Sequence, residues 1–253
     1  MIKMIMHGCN GKMGRVICDL VKNDPDIEMA AGVDITSVNA PFPTFTSIGE
    51  CNIQADVLVD FSTAAAVPAV IDYALEKKLP VVICTTGLSE DCLAKLAEAS
   101  KVIPVFKSAN MSVGINLIAS LLKKYSDVLY QEGFDIEIVE RHHNQKIDAP
   151  SGTALMLADA VNEGVSEDLQ YVYDRSQVRE KRDRKQLGLS AVRGGTIVGD
   201  HEVIFAGKDE VIEFKHSAYS KEVFAVGAVK AAKFVAGKPA GRYDMQNVME
   251  EIG

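Results

Sequence analysis

An apolar run at residues 2–6 (IKMIM) leads into His7 and then GCNGKMG, which sets Gly8, Gly11 and Gly14 three residues apart. Met13, Val16, Ile17, Leu20 and Val21 then recur at helical spacing until Asn23, Asp24 and Pro25 end the run. Strand, glycine turn and helix in that order constrain the chain more than any other feature. The three glycines serve different ends, namely a tight turn, close approach of backbone to a pyrophosphate, and close packing of helix on strand. Spaced glycines alone are a weak signal, and the next strand-like run strengthens it. Residues 27–33 (IEMAAGV) end in Asp34, where a carboxylate can accept hydrogen bonds from the hydroxyls of an adenosine ribose. Ile35 rather than an arginine follows, so NADH is the expected cofactor, with NADPH possible through Lys12 or Arg15.

Downstream the alternation continues, with strands expected at 57–60, 81–84 and 102–106 and helices at 65–77 and 91–99. The fold class is therefore α/β, with an N-terminal Rossmann-type doubly wound parallel sheet. Ligands bind such sheets beyond the carboxyl ends of the strands, which directs attention to Phe61 and Ser62, to Thr85, Thr86 and Gly87, and to residues 108–111. For each of these a packing role competes with a binding one. After Asn110 the pattern changes to a helix over 113–125, a strand over 134–139, a capped helix, a basic segment, and strand-like runs at 195–198, 202–206 and 211–216. A helix over 221–235 is expected to return to the first domain. This predicts a dinucleotide-binding domain at 1–111 and 221–253, and a second α+β domain with a mixed sheet at 112–220.

The second domain carries ERHHNQKIDAPSGTA at residues 140–154. FDIEIV before it alternates apolar and acidic residues as a half-buried strand does, so His142 and His143 come at a strand end. If strand geometry persists that far, His142 shares a face with Glu140 and His143 with Arg141. Joint chelation of a metal would need a turn between the histidines, and no CxxC or HExxH supplies further ligands, so no metal is expected. Lys146 on the loop beyond can swing towards an anion or deliver a proton. Asp148, Ala149 and Pro150 break regular structure, and Ser151 reads as the N-cap of the following helix. With Gly152 and Thr153 it presents backbone N–H groups at a helix start, where negative charge is favoured. An ordinary capped helix is the competing reading.

A chain of 253 residues can bury a large core and is near the length at which chains divide in two. It has no apolar stretch long enough to span a membrane and no secretory leader pattern, so a cytoplasmic protein is expected. Cys9, Cys18, Cys51, Cys84 and Cys92 are odd in number and lack metal-type pairing, which suits reduced thiols. The net charge of −8 opposes nucleic-acid binding. The basic run at 175–185 reads as a solvated loop or helix face relieved by Glu180 and Asp183.

Together, GCNGKMG with Asp34, CTTG at residues 84–87, SANMSVGIN at 108–116, ERHHNQKIDAPSGTA and RGGTIVGDHEVIF at 193–205 resemble the dihydrodipicolinate reductase family, in order and over nearly the whole chain. The resemblance implies reduction of a cyclic unsaturated dicarboxylate by NAD(P)H in the diaminopimelate route to lysine, by a homotetramer assembled through the second domain's sheet. It assigns His142 as catalytic, Lys146 as proton donor, and His143, Ser151, Gly152 and Thr153 to the substrate. Gly8, Cys9, Asn10, Gly11, Lys12, Met13, Asp34, Cys84, Thr85, Thr86, Gly87, Ser108, Ala109, Asn110 and Met111 fall around the dinucleotide. Cys84 stands where the family often has glycine, and Met111 where it often has an aromatic. The rival reading is an NAD-dependent amino-acid or imine dehydrogenase on the same scaffold. A non-catalytic NAD-sensing module is a third, and it would need an effector segment that the acidic chain does not offer.

Overall fold

The computed structural model describes residues 1–36 and 39–252, and the chain divides into two compact units, Met1–Ser112 with Glu222–Gly253, and Val113–Lys221. Residue 253 lies outside the described residues.

The first unit begins β1 (Ile2–His7), α1 (Lys12–Lys22), β2 (Ile27–Val33), β3 (Thr44–Phe45), β4 (Val57–Asp60), α2 (Val67–Lys77), β5 (Val81–Ile83), α3 (Glu90–Ala99) and β6 (Pro104–Phe106). The second unit holds α4 (Val113–Gln131), β7 (Asp135–His142), α5 (Gly152–Gly164), β8 (Gln170–Val172), β9 (Gln186–Arg193), β10 (Gly199–Ala206) and β11 (Val211–Ala218). The chain then returns to the first unit with α6 (Glu222–Val235), β12 (Gly241–Tyr243) and α7 (Met245–Ile252).

The first sheet runs β12-β6-β5-β4-β1-β2-β3, with every pairing parallel. Helices on both faces bury such strands completely, which is why β4 (VLVD) and β5 (VVI) are continuous buried runs rather than alternating ones. Ile5, Leu58, Val81, Ile83 and Val105 belong to one core cluster, and Leu58→Ala there would cost about 2–5 kcal/mol. Because all these strands point one way, the ends of β1, β2, β4, β5 and β6 deliver their loops to a single edge of the sheet.

The second sheet runs β11-β10-β7-β9-β8 and is mixed: β7, β9 and β8 pair in parallel, whereas β10 is antiparallel to β7 and β11. β7 alternates half-buried and buried without interruption through His142, so the strand extends beyond the expected 134–139. Ile136 and Ile138 pack with Leu187, Leu189, Val203 and Phe205 on the face that helices α4 and α5 cover. Helix α4 is six residues longer than the expected 113–125, because Ser126 and Tyr130 continue its buried stripe as far as Gly133, which turns at φ +89°.

Two expectations need correcting. Residues 195–198 are not a strand: Gly195 turns at φ +50°, and the chain there links β9 to β10, which lie on opposite sides of β7. The basic run is neither helical nor simply solvated. Arg175 reaches Glu137, and Arg182 reaches both Glu137 and Asp135, so two of its arginines neutralise acids on the outward face of β7.

Candidate active site

At the end of β1 the chain turns sharply at Gly8, whose φ of +84° L side chains rarely adopt. A Cβ there would also fall 2.5 Å from the Phe61 carbonyl oxygen. Gly14 lets α1 press onto the turn, since a Cβ would lie 2.0 Å from the Gly8 carbonyl oxygen. The turn is tied to β2 by Gly8 and Cys9 N–H groups donating to the Val33 carbonyl. Asp34 then accepts the Asn10 N–H at 2.9 Å and the Thr36 hydroxyl at 3.0 Å, while Arg15 donates to the Asn10 side chain at 2.7 Å. Gly11 and Lys12 are exposed, and Met13 is half-buried.

One buried carboxylate organises the neighbouring strand ends. Asp60 accepts from the Ser62 and Thr85 hydroxyls, each at 2.6 Å, and pairs with His7 Nδ1 at 2.7 Å. Thr85 Oγ1 in turn accepts the Ser62 N–H at 3.0 Å. Thr86, Gly87 and Ala109 are exposed beside this cluster's strands, Ser108 is half-buried, and Asn110 folds its side-chain oxygen back onto the Ser112 N–H. Met111 is buried, its carbonyl 1.7 Å from where a Cβ on Gly227 of α6 would stand. Burial pushes the Cys84 thiol well up, so it is no thiolate nucleophile at neutral pH. None of the five cysteines is paired in a disulfide. The cradle at Gly8 and Gly14 and the acid at Asp34 are of the kind that could hold a dinucleotide, the α1 start offering N–H groups to a pyrophosphate and Asp34 a carboxylate to a ribose.

In the second unit, β7 carries Glu140 and His142 on its buried face, as period-two geometry requires. The Glu140 side chain is 1% exposed and receives Arg193 in two parallel hydrogen bonds of 2.7 Å, His142 Nδ1 at 2.6 Å and the Ser151 N–H at 2.9 Å. Burial alone would raise this carboxyl's pKa. The donors from Arg193, His142 and Ser151 outweigh it and hold the group below the usual carboxylate range. The same ion pair makes Arg193 more basic than usual.

Ser151 caps α5 as expected, its hydroxyl accepting the Ala154 N–H at 3.1 Å. The cap differs from expectation in one respect: its own N–H is not unpaired but given to Glu140. Its hydroxyl also meets His201 Nε2 at 2.9 Å, and the His201 ring stands edge-on to His142 with centroids 5.0 Å apart. Burial, then the neighbouring His142, pulls the His201 pKa down to about 4. Lys146 pairs with Asp148 at 2.8 Å, and this hydrogen bond, with backbone donors that include Gly152, holds the Asp148 carboxyl below its ordinary range. Asp148 therefore sits where an incoming anion would meet both the ammonium and the helix start. His143 lies just past the strand, half-buried, with its carbonyl accepting the Lys146 N–H. Gly152 is exposed and Thr153 half-buried. Among the described residues, no group of three His, Cys, Asp or Glu side chains could hold a metal ion.

Sequence reasoning did not identify Arg193 or His201 as site residues. Both arrive by strand register: Arg193 stands opposite His142 across β9, and His201 opposite Glu140 across β10. Only Glu140 had a local signal, its place two residues before His142.

A seven-stranded parallel sheet with this glycine turn and ribose-ready acid, interrupted by a unit bearing ammonium, imidazoles and a capped helix start, defines an oxidoreductase of the nicotinamide-dependent Rossmann class. Family models narrow this: the N-terminal part of dihydrodipicolinate reductase matches residues 2–111, and its C-terminal part matches residues 114–249. The chain belongs to the dihydrodipicolinate reductase family. It is 53% identical to the 4-hydroxy-tetrahydrodipicolinate reductase of Caldanaerobacter subterraneus subsp. tengcongensis, covering 99% of each chain, and 54% identical to that of Clostridium tetani, covering 97% and 96%. Among solved structures, a dipicolinate-bound dihydrodipicolinate reductase from Paenisporosarcina sp. TG-14 shares the fold with a TM-score of 0.81 at 23% identity, covering 98% of this chain and 99% of that one. Aspartate dehydrogenase from Thermotoga maritima shares it more loosely, with a TM-score of 0.53 at 12% identity, covering 94% and 98%.

Proposed function

We propose that this chain reduces 4-hydroxy-tetrahydrodipicolinate to tetrahydrodipicolinate in the diaminopimelate route to lysine, with NADH preferred as hydride donor and NADPH accepted. The observation that carries the reading is the cluster of Lys146, His142 and the α5 start, on a chain whose full-length relatives bear that enzyme's name. Asp34 supports NADH: both its oxygens face donors of the turn and of Thr36, and a 2′-phosphate placed there would meet a carboxylate.

A bound reduced nicotinamide supplies a hydride to the conjugated ring. The chain's own residues must then hold two substrate carboxylates and deliver a proton to the electron-rich end. Lys146 exchanges its Asp148 partner for one carboxylate and donates the proton, a role worth roughly a hundredfold to ten-thousandfold. Gly152 and Thr153, set in place by the Ser151 cap, receive the other carboxylate with His143, and His142 stabilises the charge that develops. His201, neutral at physiological pH, keeps Ser151 aligned.

Assembly as a homotetramer through the second sheet belongs to the same proposal. The face of that sheet turned away from α4 and α5 exposes Val192 and Val211, 45% and 57% accessible. A cytoplasmic location is part of the same proposal; among the described residues no helix is long and apolar enough to cross a membrane.

The test is loss of reduced-nicotinamide absorbance with freshly prepared product of dihydrodipicolinate synthase, run separately with NADH and NADPH. Oxidation of neither would sink the assignment, and faster turnover with NADPH would overturn the reading of Asp34.

A further inference from the structure

We propose that Glu140, clamped by Arg193, is a positioning residue for this reduction: it fixes the proton of His142 on Nδ1 and leaves Nε2 as the working nitrogen. The inference rests on the function proposed above and adds to it a division of labour within the imidazole.

Four donors converge on the Glu140 carboxylate, two from Arg193, one from the Ser151 backbone and one from His142. Arg193 cannot lose its proton, so the carboxylate it grips is ionised and only accepts; His142 Nδ1 must then be the donor in their 2.6 Å contact. The other side of the ring is kept clear. A Cβ on Gly199 would lie 3.0 Å from His142 Nε2 and 3.3 Å from Cδ2, tighter than nearly all real contacts, whereas glycine leaves that nitrogen uncovered. His201 does not compete for the same carboxylate. Its Nε2 is held instead by the Ser151 hydroxyl at 2.9 Å, the same hydroxyl that accepts the Ala154 N–H. One carboxylate thus sets the imidazole and, through the Ser151 N–H, the start of the anion-binding helix. A carboxylate needed only to anchor the fold would be satisfied by Arg193 and Ser151 without the third contact.

Glu140→Gln keeps the shape but replaces one acceptor oxygen by an NH2 group. With both cofactors bound as in the wild type, kcat is expected to fall by at least about tenfold while substrate KM stays within about threefold. The ¹⁵N resonances of His142, assigned among the five histidines with a His142→Gln control, should show Nδ1 protonated in the wild type and that preference lost in Glu140→Gln. Gly199→Ala leaves Glu140 intact and crowds Nε2; it should lower kcat without moving the Nδ1 signal. Wild-type turnover in Glu140→Gln, a loss confined to KM, or an unchanged His142 tautomer overturns the inference. If Glu140→Gln fails to fold, undiminished turnover in Gly199→Ala does the same. A wild-type protein that oxidises neither cofactor with this substrate counts against the functional reading alone, because the resonances still report the tautomer.

Discussion

Replacing His201 by glutamine should flatten the acid dependence of stability. The residue is 5% exposed, and burial with the neighbouring His142 lowers its pKa from 6.5 to about 4 in the folded chain. Between these values the unfolded chain binds a proton that the folded chain refuses, so stability falls as pH falls. The loss begins near pH 6.5 and is complete once pH drops below about 4. Its slope in the window is about 1.4 kcal/mol per pH unit, and the loss from about pH 7 to about pH 5 comes to about 2 kcal/mol. Glutamine places an uncharged acceptor where Nε2 meets the Ser151 hydroxyl, so the cap survives while the titration disappears. His216, also depressed by burial, contributes with the same sign and remains in both proteins. Glu140 and Asp148 have depressed pKa values, so their contributions are lost only at the acid edge of the window. Urea unfolding of the full chain, followed by circular dichroism at several pH values, measures the difference. A variant that loses as much stability as the wild type between about pH 7 and about pH 5 would refute the claim that His201 is held neutral.

Further outcomes follow from the same geometry. Lys146→Ala should cut kcat by about a hundredfold or more in steady-state assays while NADH binding, measured by fluorescence titration, stays near normal. Asp34→Ser should raise the NADPH-to-NADH ratio of kcat/KM by at least about fivefold, since a like charge near 4 Å costs about 1 kcal/mol even in water. Gly14→Ala would push a Cβ to within 2.0 Å of the Gly8 carbonyl oxygen, where backbone meets backbone and neither side can rotate away. About 1–3 kcal/mol of destabilisation by calorimetry and weakened NADH binding are expected together.

Much of the first unit was legible because a parallel sheet and its helices announce themselves locally. The run over 57–60 matches β4, and Met13, Val16, Ile17, Leu20 and Val21 lie within α1. β9 was missed although Leu187, Leu189 and Ala191 alternate with Gln186, Gly188 and Ser190, because Gly188 and Ala191 are poor strand formers; its inner face becomes evident only when Leu187 and Leu189 meet Ile136 and Ile138. The two-residue β3 and three-residue β8 and β12 are too short to leave a periodic signal. In the site, Ser151 as a cap and Glu140 beside His142 could be read from spacing. The use of the Ser151 N–H by Glu140 could not, because residue 140 meets residue 151 only after the loop has folded back.

The sequence by itself determined the elements whose signals are periodic or conformational: the glycine turn with Asp34, the alternating β7, the capped α5, and the residue types that hold anions and move protons. The tertiary structure alone decided how those groups are charged and paired. Register across β7 brought Arg193 and His201 to Glu140 and His142. The physical reason is that helix and strand periodicity depends on neighbours a few residues apart. Desolvation and hydrogen bonding at Glu140 and His201 depend on side chains 50 or more residues away, which only the packed sheet brings within 3 Å.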